Sequence, residues 1–175
     1  MADFEIDPKE EGLEWELPCH VLVRTKYGDT LSYEGFVFDR DSGVQNLPEL
    51  DSDVFPYVAS AAHDFLYSNR RMANGDLVKD RKTADKIYYE LCRYSTNPRR
   101  RKLAFGRYLG VRALGWYWWN RRKHPDPIPQ MFKHMYGKDE MAWASRARLG
   151  MIIVGPDKRL MTIPPRIAPC ALSGS

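Results

Sequence analysis

The order of apolar and polar residues predicts strands in the first part of the chain. Residues 20 to 25 (HVLVRT) have the pattern of a strand with an apolar centre, and residues 27 to 29 (YGD) give a turn signal. Residues 30 to 34 (TLSYE) alternate between polar and apolar or aromatic side chains. Residues 35 to 38 (GFVF) are a further short strand candidate. Short runs separated by a glycine-containing turn are typical of antiparallel hairpins. The pattern therefore predicts a small antiparallel sheet or β-ribbon.

Three helices are predicted in the middle of the chain, where apolar residues recur at steps of three and four. The first spans residues 55 to 67 or slightly more, and the second spans about residues 81 to 95, capped by Asp80 or Thr83. The third is the longest and spans about residues 99 to 119. The predicted apolar face of the second helix contains Ile87, Leu91 and Tyr94, and that of the third contains Ala104, Tyr108, Val111, Gly115 and Trp118.

The third helix also contains two other glycines, Gly106 and Gly110. Each of them lowers helix propensity, by roughly 1 kcal/mol relative to alanine. We expect this cost to be offset by close backbone contact with another helix, and the first helix is the candidate.

The end of the chain returns to strand patterns. Proline-rich residues 124 to 129 stop the third helix, and short helical pieces are predicted at residues 131 to 136 and 139 to 149. Residues 151 to 163 have the pattern of a strand, a turn and another strand. The order of elements predicts an α+β fold: a small antiparallel β region, a three-helix core, and a C-terminal β hairpin or extended arm.

Length and charge predict one domain with two flanking segments. The 175 residues suit a single domain. Residues 3 to 16 carry seven acidic residues and one lysine, whereas residues 99 to 123 carry nine cations and no acid. We therefore predict an acidic N-terminal arm (residues 1–14), one α+β domain (residues 15–150) and a C-terminal hairpin or tail (residues 151–175). Such opposite charges favour either pairing within the chain or docking on partners of opposite sign.

The sequence predicts neither a membrane span nor a signal peptide, and its cysteines and aromatic residues give two further indications. No apolar run reaches the roughly 18 to 20 residues of a membrane span, and the acidic N-terminus is unlike a signal peptide. The three cysteines (Cys19, Cys92 and Cys170) have no metal-ligand spacing, which indicates reduced thiols in a reducing compartment. Five tryptophans and ten tyrosines exceed what a minimal core needs and indicate an interface.

The candidate chemistry begins with His63 and Asp64, which are adjacent on the first predicted helix among small residues. Burying titratable groups is costly unless they are paired. Asp85, near the start of the second helix, can reach the His63 imidazole if the two helices are antiparallel, and Tyr67 shares a helix face with His63. We predict one polar cluster of these four residues. It is either a general-base site, with His63, Asp85 and Tyr67 as catalytic residues, or a satisfied structural pair joining two helices.

A metal site is the second chemical hypothesis. If Asp85 holds His63, then Asp64 remains to cap a loop or bind a hard cation such as Ca²⁺. Asp39 and Asp41, in the turn after the last N-terminal strand, are candidate oxygen ligands for the same ion.

Cations at the start of the third helix indicate an anionic partner, because positive charge there opposes the helix dipole. The candidate binding residues at the two ends of this helix are Arg99, Arg100, Arg101, Lys102, Arg121 and Arg122. With tyrosine and tryptophan nearby, nucleic acid and phospholipid headgroups are candidate ligands. The alternatives are an acidic patch on a neighbouring subunit and the acidic arm of this chain.

Four short motifs occur in order along the chain: FDRDSGV at residues 38–44, HDFLY at 63–67, RKTAD at 81–85 and VRALGW at 111–116. In the order of these motifs, over roughly residues 20 to 120, the chain resembles an uncharacterised family of phage-encoded proteins. Its members couple a short β region and a TDGASIP-like turn to an HDxLY helix, an RxxAD helix start and a VRxxGW-like helix. The resemblance implies a bacteriophage origin, often among structural or lysis-region genes, and implies no known reaction.

The histidine helix also resembles that of phospholipase A2, especially the disulfide-free form in parvovirus capsid proteins. That family places His-Asp-x-x-Tyr on one helix and an Ala-Asp start on the next. The resemblance implies that His63 activates water, that Asp64 binds calcium, and that Asp85 with Tyr67 orients His63. The glycine-rich calcium loop of that family is not recognisable upstream.

We therefore expect a bacteriophage virion component of the tail, neck or baseplate. It would be made in the host cytoplasm and would dock on other virion proteins in an oligomeric assembly. The alternatives are a calcium-dependent, phospholipase A2-like hydrolase acting at the cell envelope and a nucleic-acid-binding accessory protein.

Overall fold

The described residues form two small sheets and a set of packed helices. The computed structural model describes residues 14–39, 55–121, 125–137, 151–154 and 160–163. The elements are β1 (Glu14–Glu16), β2 (His20–Thr25), β3 (Gly28–Ser32), β4 (Val37–Asp39), α1 (Phe55–Asn69), α2 (Arg81–Tyr94), α3 (Pro98–Arg121), α4 (Gln130–Lys133), β5 (Met151–Val154) and β6 (Leu160–Ile163). Strands and the three long helices occupy separate stretches of the chain, so the predicted α+β class is confirmed.

The larger sheet is built on β2. This strand pairs antiparallel with β3, through a tight turn between Thr25 and Gly28, and parallel with β5. β6 pairs antiparallel with β5, which gives the strand order β3-β2-β5-β6. The parallel pairing therefore joins the N-terminal and C-terminal hairpins in one sheet. A separate two-stranded sheet pairs β1 with β4, with Trp15 opposite Phe38.

The helices pack in sequence on the strands. α1 contacts β3 and β4 as well as α2, and α2 in turn packs against α3. Because α1 lies between strands and a helix, much of its surface is buried. Its residues with at most 1% exposure are Val58, Ala59, Ala61, Ala62, Phe65 and Leu66. The predicted apolar face of the second helix is confirmed, since Ile87, Leu91 and Tyr94 are all buried.

The start of α2 is fixed by Asp80, one of the two predicted caps. Its carboxylate accepts hydrogen bonds from the backbone N–H of Thr83 (2.7 Å) and from the Thr83 hydroxyl (2.8 Å). These bonds hold the pKa of Asp80 below its usual value. The cap places Asp85 in the second turn of α2, facing α1.

The glycines of α3 do not pack as predicted. A Cβ built on Gly106 or Gly110 would meet no atom within 4 Å, so the expected close contact of these two glycines with another helix is wrong. The close contact lies at Gly115, which is buried. Trp118, predicted on the packed face, is 56% exposed instead. The reason is that the packed stripe continues from Gly115 by four residues, to Trp119, rather than by three.

His20, at the start of β2, is buried. Its Nδ1 accepts a hydrogen bond of 2.8 Å from the backbone N–H of Glu34, and the ring of Phe132 meets its ring edge-on at 5.4 Å. Burial, reinforced by the positive charge of His134, lowers the pKa of His20 to about 4. His20 is therefore neutral at pH 7, with an unprotonated Nδ1.

Candidate functional site

The predicted polar cluster forms where α1 and α2 meet. His63 and Tyr67 lie one turn apart on α1, and Asp85 lies opposite them on α2. Ala62 and Ala84, which belong to the same two helices, are also buried. The cluster predicted from the sequence is confirmed as an arrangement, while its catalytic roles stay predictions.

Asp85 is the centre of the cluster and its side chain is 0% exposed. Its Oδ1 lies 3.1 Å from Nε2 of His63 and accepts a hydrogen bond of 2.6 Å from the Tyr67 hydroxyl. Its Oδ2 accepts a hydrogen bond of 2.7 Å from Nη1 of Arg112 and lies 3.6 Å from Nη1 of Arg81. Each carboxylate oxygen thus has two partners, and residues from α1, α2 and α3 converge on one buried charge.

Arg81 connects α2 to the middle of α3 through two hydrogen bonds. Its Nη1 donates to the carbonyl of Val111 (3.1 Å) and its Nη2 donates to the carbonyl of Arg112 (3.0 Å). Gly115 makes this approach feasible, since a Cβ there would overlap the Tyr67 hydroxyl and lie 3.1 Å from Nη1 of Arg81. The glycine is needed for the packing of the cluster, because any side chain would displace two of its members.

His63 lies between two carboxylates. Nε2 faces Asp85, and Nδ1 lies 3.5 Å from Oδ1 of Asp64, which is 26% exposed. Burial lowers the pKa of His63, but hydrogen bonds to Asp64 and Asp85 outweigh it and raise the pKa to about 9. The rings of Tyr67 and Tyr88, at 4.2 and 4.9 Å, add aromatic faces beside the imidazole. His63 is therefore an imidazolium at pH 7.

At neutral pH, Asp85 is ionised and Tyr67 is a neutral phenol. Burial raises the pKa of Asp85, but hydrogen bonds from His63, Tyr67 and Arg112 leave it below its usual value. Burial and the hydrogen bond to Asp85 raise the pKa of Tyr67. At neutral pH the cluster is thus a carboxylate, a phenol and an imidazolium with two guanidinium groups. An imidazolium cannot accept a proton, so this state stabilises structure rather than acting as a base.

Two arginines and a glycine of the cluster were not predicted as members. Arg81 precedes Asp85 by four residues, which places the two on one helix face. Arg112 and Gly115 belong to the VRALGW motif of the sequence. The motifs RKTAD and VRALGW were the available signal, but only the fold shows that they meet at HDFLY.

The calcium hypothesis is left open by the structure. Asp39 ends β4, whereas Asp41 lies outside the described residues. Within the described ranges no group of three or more His, Cys, Asp or Glu residues is placed to hold a metal ion. Asp64, in contact with His63, is the predicted ligand whose side-chain geometry is described. The metal-binding roles of Asp64, Asp39 and Asp41 therefore stay predictions.

The predicted cationic residues of α3 differ in exposure. Arg99, Arg101 and Lys102 are exposed, whereas Arg100 is buried. Arg121 donates a hydrogen bond of 3.1 Å to the hydroxyl of Tyr117, on the exposed part of the same helix. Arg122 lies outside the described residues. The role of these cations in partner binding stays a prediction.

The outer side of α3 carries an unusual amount of exposed apolar surface. Seven of its large apolar residues are 44% to 72% exposed: Leu103, Phe105, Leu109, Leu114, Trp116, Tyr117 and Trp118. Among the helices that the structure describes, none is long and apolar enough to cross a membrane. Large exposed apolar patches with polar surroundings are typical of interaction surfaces.

Comparison of the chain with protein-family models, with curated proteins and with solved structures found no match.

Proposed function

We propose that this chain is a structural protein of a larger assembly and that α3 is the surface through which it docks on neighbouring subunits. The observation that carries the proposal is the set of seven large apolar side chains exposed on α3. Exposed apolar surface of this size is unfavourable in water and is typical of protein contacts. The aromatic residues among them are the types that dominate interface energetics.

The polar cluster supports this role because it fixes the position of α3. Arg112 of α3 binds the buried carboxylate of Asp85, and Arg81 binds two main-chain carbonyls of α3. Both contacts lie on the inner side of the helix. α3 is thus held against α2 from within, and its outer side is presented as a rigid surface.

The assembly that we propose is a bacteriophage virion, with the tail, neck or baseplate as the location. Support comes from the resemblance of the motifs HDFLY, RKTAD and VRALGW to those of phage-encoded proteins. In the fold these three motifs supply every described partner of Asp85 in the cluster.

Purified particles test the proposal. The wild-type chain should be detected in them by mass spectrometry. Leu114→Glu, which places a charge on the outer side of α3, should reduce its incorporation by about tenfold or more. Leu77→Glu is the matched control, because Leu77 is 60% exposed and lies outside α3. Absence of the wild-type chain from particles, or equal loss with both variants, would contradict the proposal.

A hydrolase is the second candidate, and one observation favours it. Asp85 holds Nε2 of His63, while Nδ1 points to the partly exposed side of the cluster, next to Asp64. When His63 is neutral, Nδ1 can accept a proton from a water that attacks an ester carbonyl, and Asp85 then stabilises the imidazolium. Because the neutral form is required, activity should rise with pH up to about 9.

This candidate is tested by hydrolysis of phospholipid vesicles and of a chromogenic ester, with calcium present and absent. The hydrolase candidate predicts turnover that His63→Gln abolishes and that the control His20→Asn retains. Circular dichroism establishes that both variants are folded. The hydrolase is excluded if the wild-type chain cleaves neither substrate at any pH up to 9.

A further inference from the structure

We infer that the acidic N-terminal arm (residues 1–14) binds, within its own chain, a cationic and apolar patch where α2 and α3 meet. The inference goes beyond the proposed docking of α3 on neighbouring subunits, because both partners belong to one chain. It follows from the make-up of the patch, from the sequence of the arm and from the place where the arm leaves the fold. The patch consists of Tyr89, Arg93, Arg101, Lys102, Phe105 and Leu109.

The apolar part of the patch is continuous across the two helices. The ring of Tyr89 on α2 lies 6.4 Å from that of Phe105 and 5.3 Å from that of Tyr108, both on α3. Leu109 follows Phe105 by four residues, so these two side chains lie on one face of α3. Phe105 is 57% exposed and Leu109 is 50% exposed. Both are therefore open to a further apolar contact.

Three exposed cations border this apolar surface at the end where α2 stops and α3 begins. The guanidinium of Arg93 lies 5.8 Å from the centroid of the Tyr89 ring. Lys102 precedes Phe105 by three residues on the same face of α3, and Arg101 is next to it. Among the described residues, no carboxylate forms an ion pair with any of the three cations. Arg101 and Lys102 lie near the start of α3, where the helix dipole disfavours positive charge, so acidic partners would stabilise them.

The arm has the complementary chemistry. Its first thirteen residues contain five acids and one lysine, and residues 3–7 (DFEID) alternate acidic and apolar side chains. The acids can pair with the cations of the patch. Phe4 and Ile6 can at the same time cover Phe105 and Leu109, so one short segment satisfies both parts of the patch.

The arm leaves the described fold at the end of the molecule where the patch lies. β1 begins one residue before Trp15, whose ring packs on that of Tyr57 of α1 at 5.5 Å. Two residues earlier on α1, the ring of Phe55 meets that of Tyr94, next to Arg93, at 6.3 Å. The thirteen residues before β1 can span roughly 43 Å, whereas the whole of α3, with 24 residues, is about 36 Å long. The patch is therefore within reach of the arm.

The chain's own arm has an advantage over a separate ligand. For a tether of this length the effective concentration is on the order of millimolar, which favours the arm of the same chain over that of a second copy. The arm would cover only one flank of α3. Leu103, Leu114 and Tyr117 lie on another side of the helix and stay exposed for docking on neighbouring subunits.

Zero-length cross-linking of the full chain tests the inference. A water-soluble carbodiimide joins a carboxylate to the amine of a lysine in contact with it, and mass spectrometry identifies the linked residues. We expect the carboxylates of residues 3–11 to be joined to Lys102. Lys82 is the control amine, because it is exposed but lies at the other end of α2. In an equal mixture of isotope-labelled and unlabelled chains, each linked pair should come from one chain.

Two variants separate the apolar contact from general attraction between opposite charges. Phe105→Ser removes an apolar side chain of the patch and should lower the rate of linking to Lys102 by about threefold or more. Leu103→Ser is the matched control and should leave the rate unchanged. Leu103 is 44% exposed and lies two residues from Phe105, on another side of the helix. Circular dichroism establishes that both variants are folded.

Four results would overturn the inference. They are the absence of a link between the arm and Lys102, equal linking of Lys82 and Lys102, equal rates for the two serine variants, and links that join labelled to unlabelled chains. The last would assign the patch to the arm of a second copy. An unlinked chain that binds phosphatidylserine vesicles or duplex DNA would assign the patch to that ligand.

The cross-linking result is independent of the proposed function. A chain that links its arm to Lys102 but is absent from purified particles would support the inference and contradict the docking role of α3. A chain that enters particles but forms no such link would contradict the inference, and the docking role would stand.

Discussion

The hydroxyl of Tyr67 occupies the space in which a side chain at position 115 would begin. Tyr67 belongs to α1 and Gly115 to α3, so this contact joins two helices that are far apart in the sequence. The hydroxyl is held there by its hydrogen bond to Asp85. The absence of one methyl group at Gly115 therefore lets three helices share a single buried carboxylate.

Gly115→Ala should destabilise the protein, although alanine favours a helix more than glycine does. We expect the free energy of unfolding to fall by about 1 to 3 kcal/mol, because the new Cβ displaces Tyr67 and Arg81. Gly110→Ala is the matched control, and it should raise the free energy of unfolding by about 0.5 to 1 kcal/mol through helix propensity alone. Urea unfolding of both variants measures the difference. Equal stability of the two would show that Gly115 is not needed for packing.

Asp85→Asn should lower the free energy of unfolding far more than a substitution that removes one charge from an exposed carboxylate. It leaves Arg81, Arg112 and His63 around a neutral group, and loss of one partner from a buried ion pair costs about 3 to 5 kcal/mol. Asp80→Asn is the control, since asparagine caps a helix as well as aspartate does. We expect the control to change the free energy of unfolding by less than about 0.5 kcal/mol. A mild effect of Asp85→Asn would contradict the central position of this carboxylate.

Much of the fold follows from local patterns. β2 and the starts of α1 and α2 lie where the apolar periodicity predicts them, because each pattern belongs to one continuous segment. The pairing of His63 with Asp85 was also predictable, since a buried histidine needs a partner and the next helix offers one.

Features that depend on distant segments were not predictable. The apolar run of residues 151 to 154 identifies β5 as a strand, but it does not show that β5 pairs parallel with β2. Likewise the apolar periodicity of α3 places Gly115 on the packed face, but only the position of α1 shows that the close contact is made there and not at Gly106 or Gly110. Arg112 was counted only among the nine cations of residues 99 to 123, because nothing in its own segment shows that a buried carboxylate lies behind it.

His20 should make the protein less stable in acid. Its pKa is about 4 in the folded state against 6.5 in the unfolded state, so folding favours the neutral imidazole. The contribution of this group to the free energy of unfolding is complete above pH 6.5 and is lost as the pH falls towards 4. The loss is on the order of 3 kcal/mol. His20→Asn keeps an acceptor for the Glu34 N–H but does not titrate. Below pH 6 the stability of the wild type should therefore fall relative to the variant, and parallel curves would contradict the prediction.

His63 should have the opposite pH dependence. Its folded pKa of about 9 lies above the unfolded value of 6.5, so its contribution is complete below pH 6.5 and is lost as pH rises through 9. The change is on the order of 3 kcal/mol. His63→Gln can still donate to Asp85 but carries no titrating group. The free energy of unfolding of the wild type should exceed that of this variant by an amount that shrinks between pH 6.5 and 9. A difference that grows over this range would contradict the prediction.

The charge of His63 at pH 7 tests most directly whether the polar cluster is a structural network of ion pairs at physiological pH. An NMR titration of its imidazole nitrogens in the full chain measures that charge. We predict that both nitrogens are protonated at pH 7 and that the midpoint lies near 9, because Asp64 and Asp85 flank the ring. A midpoint at or below 7 would contradict the account, since a neutral His63 at physiological pH would be available to accept a proton.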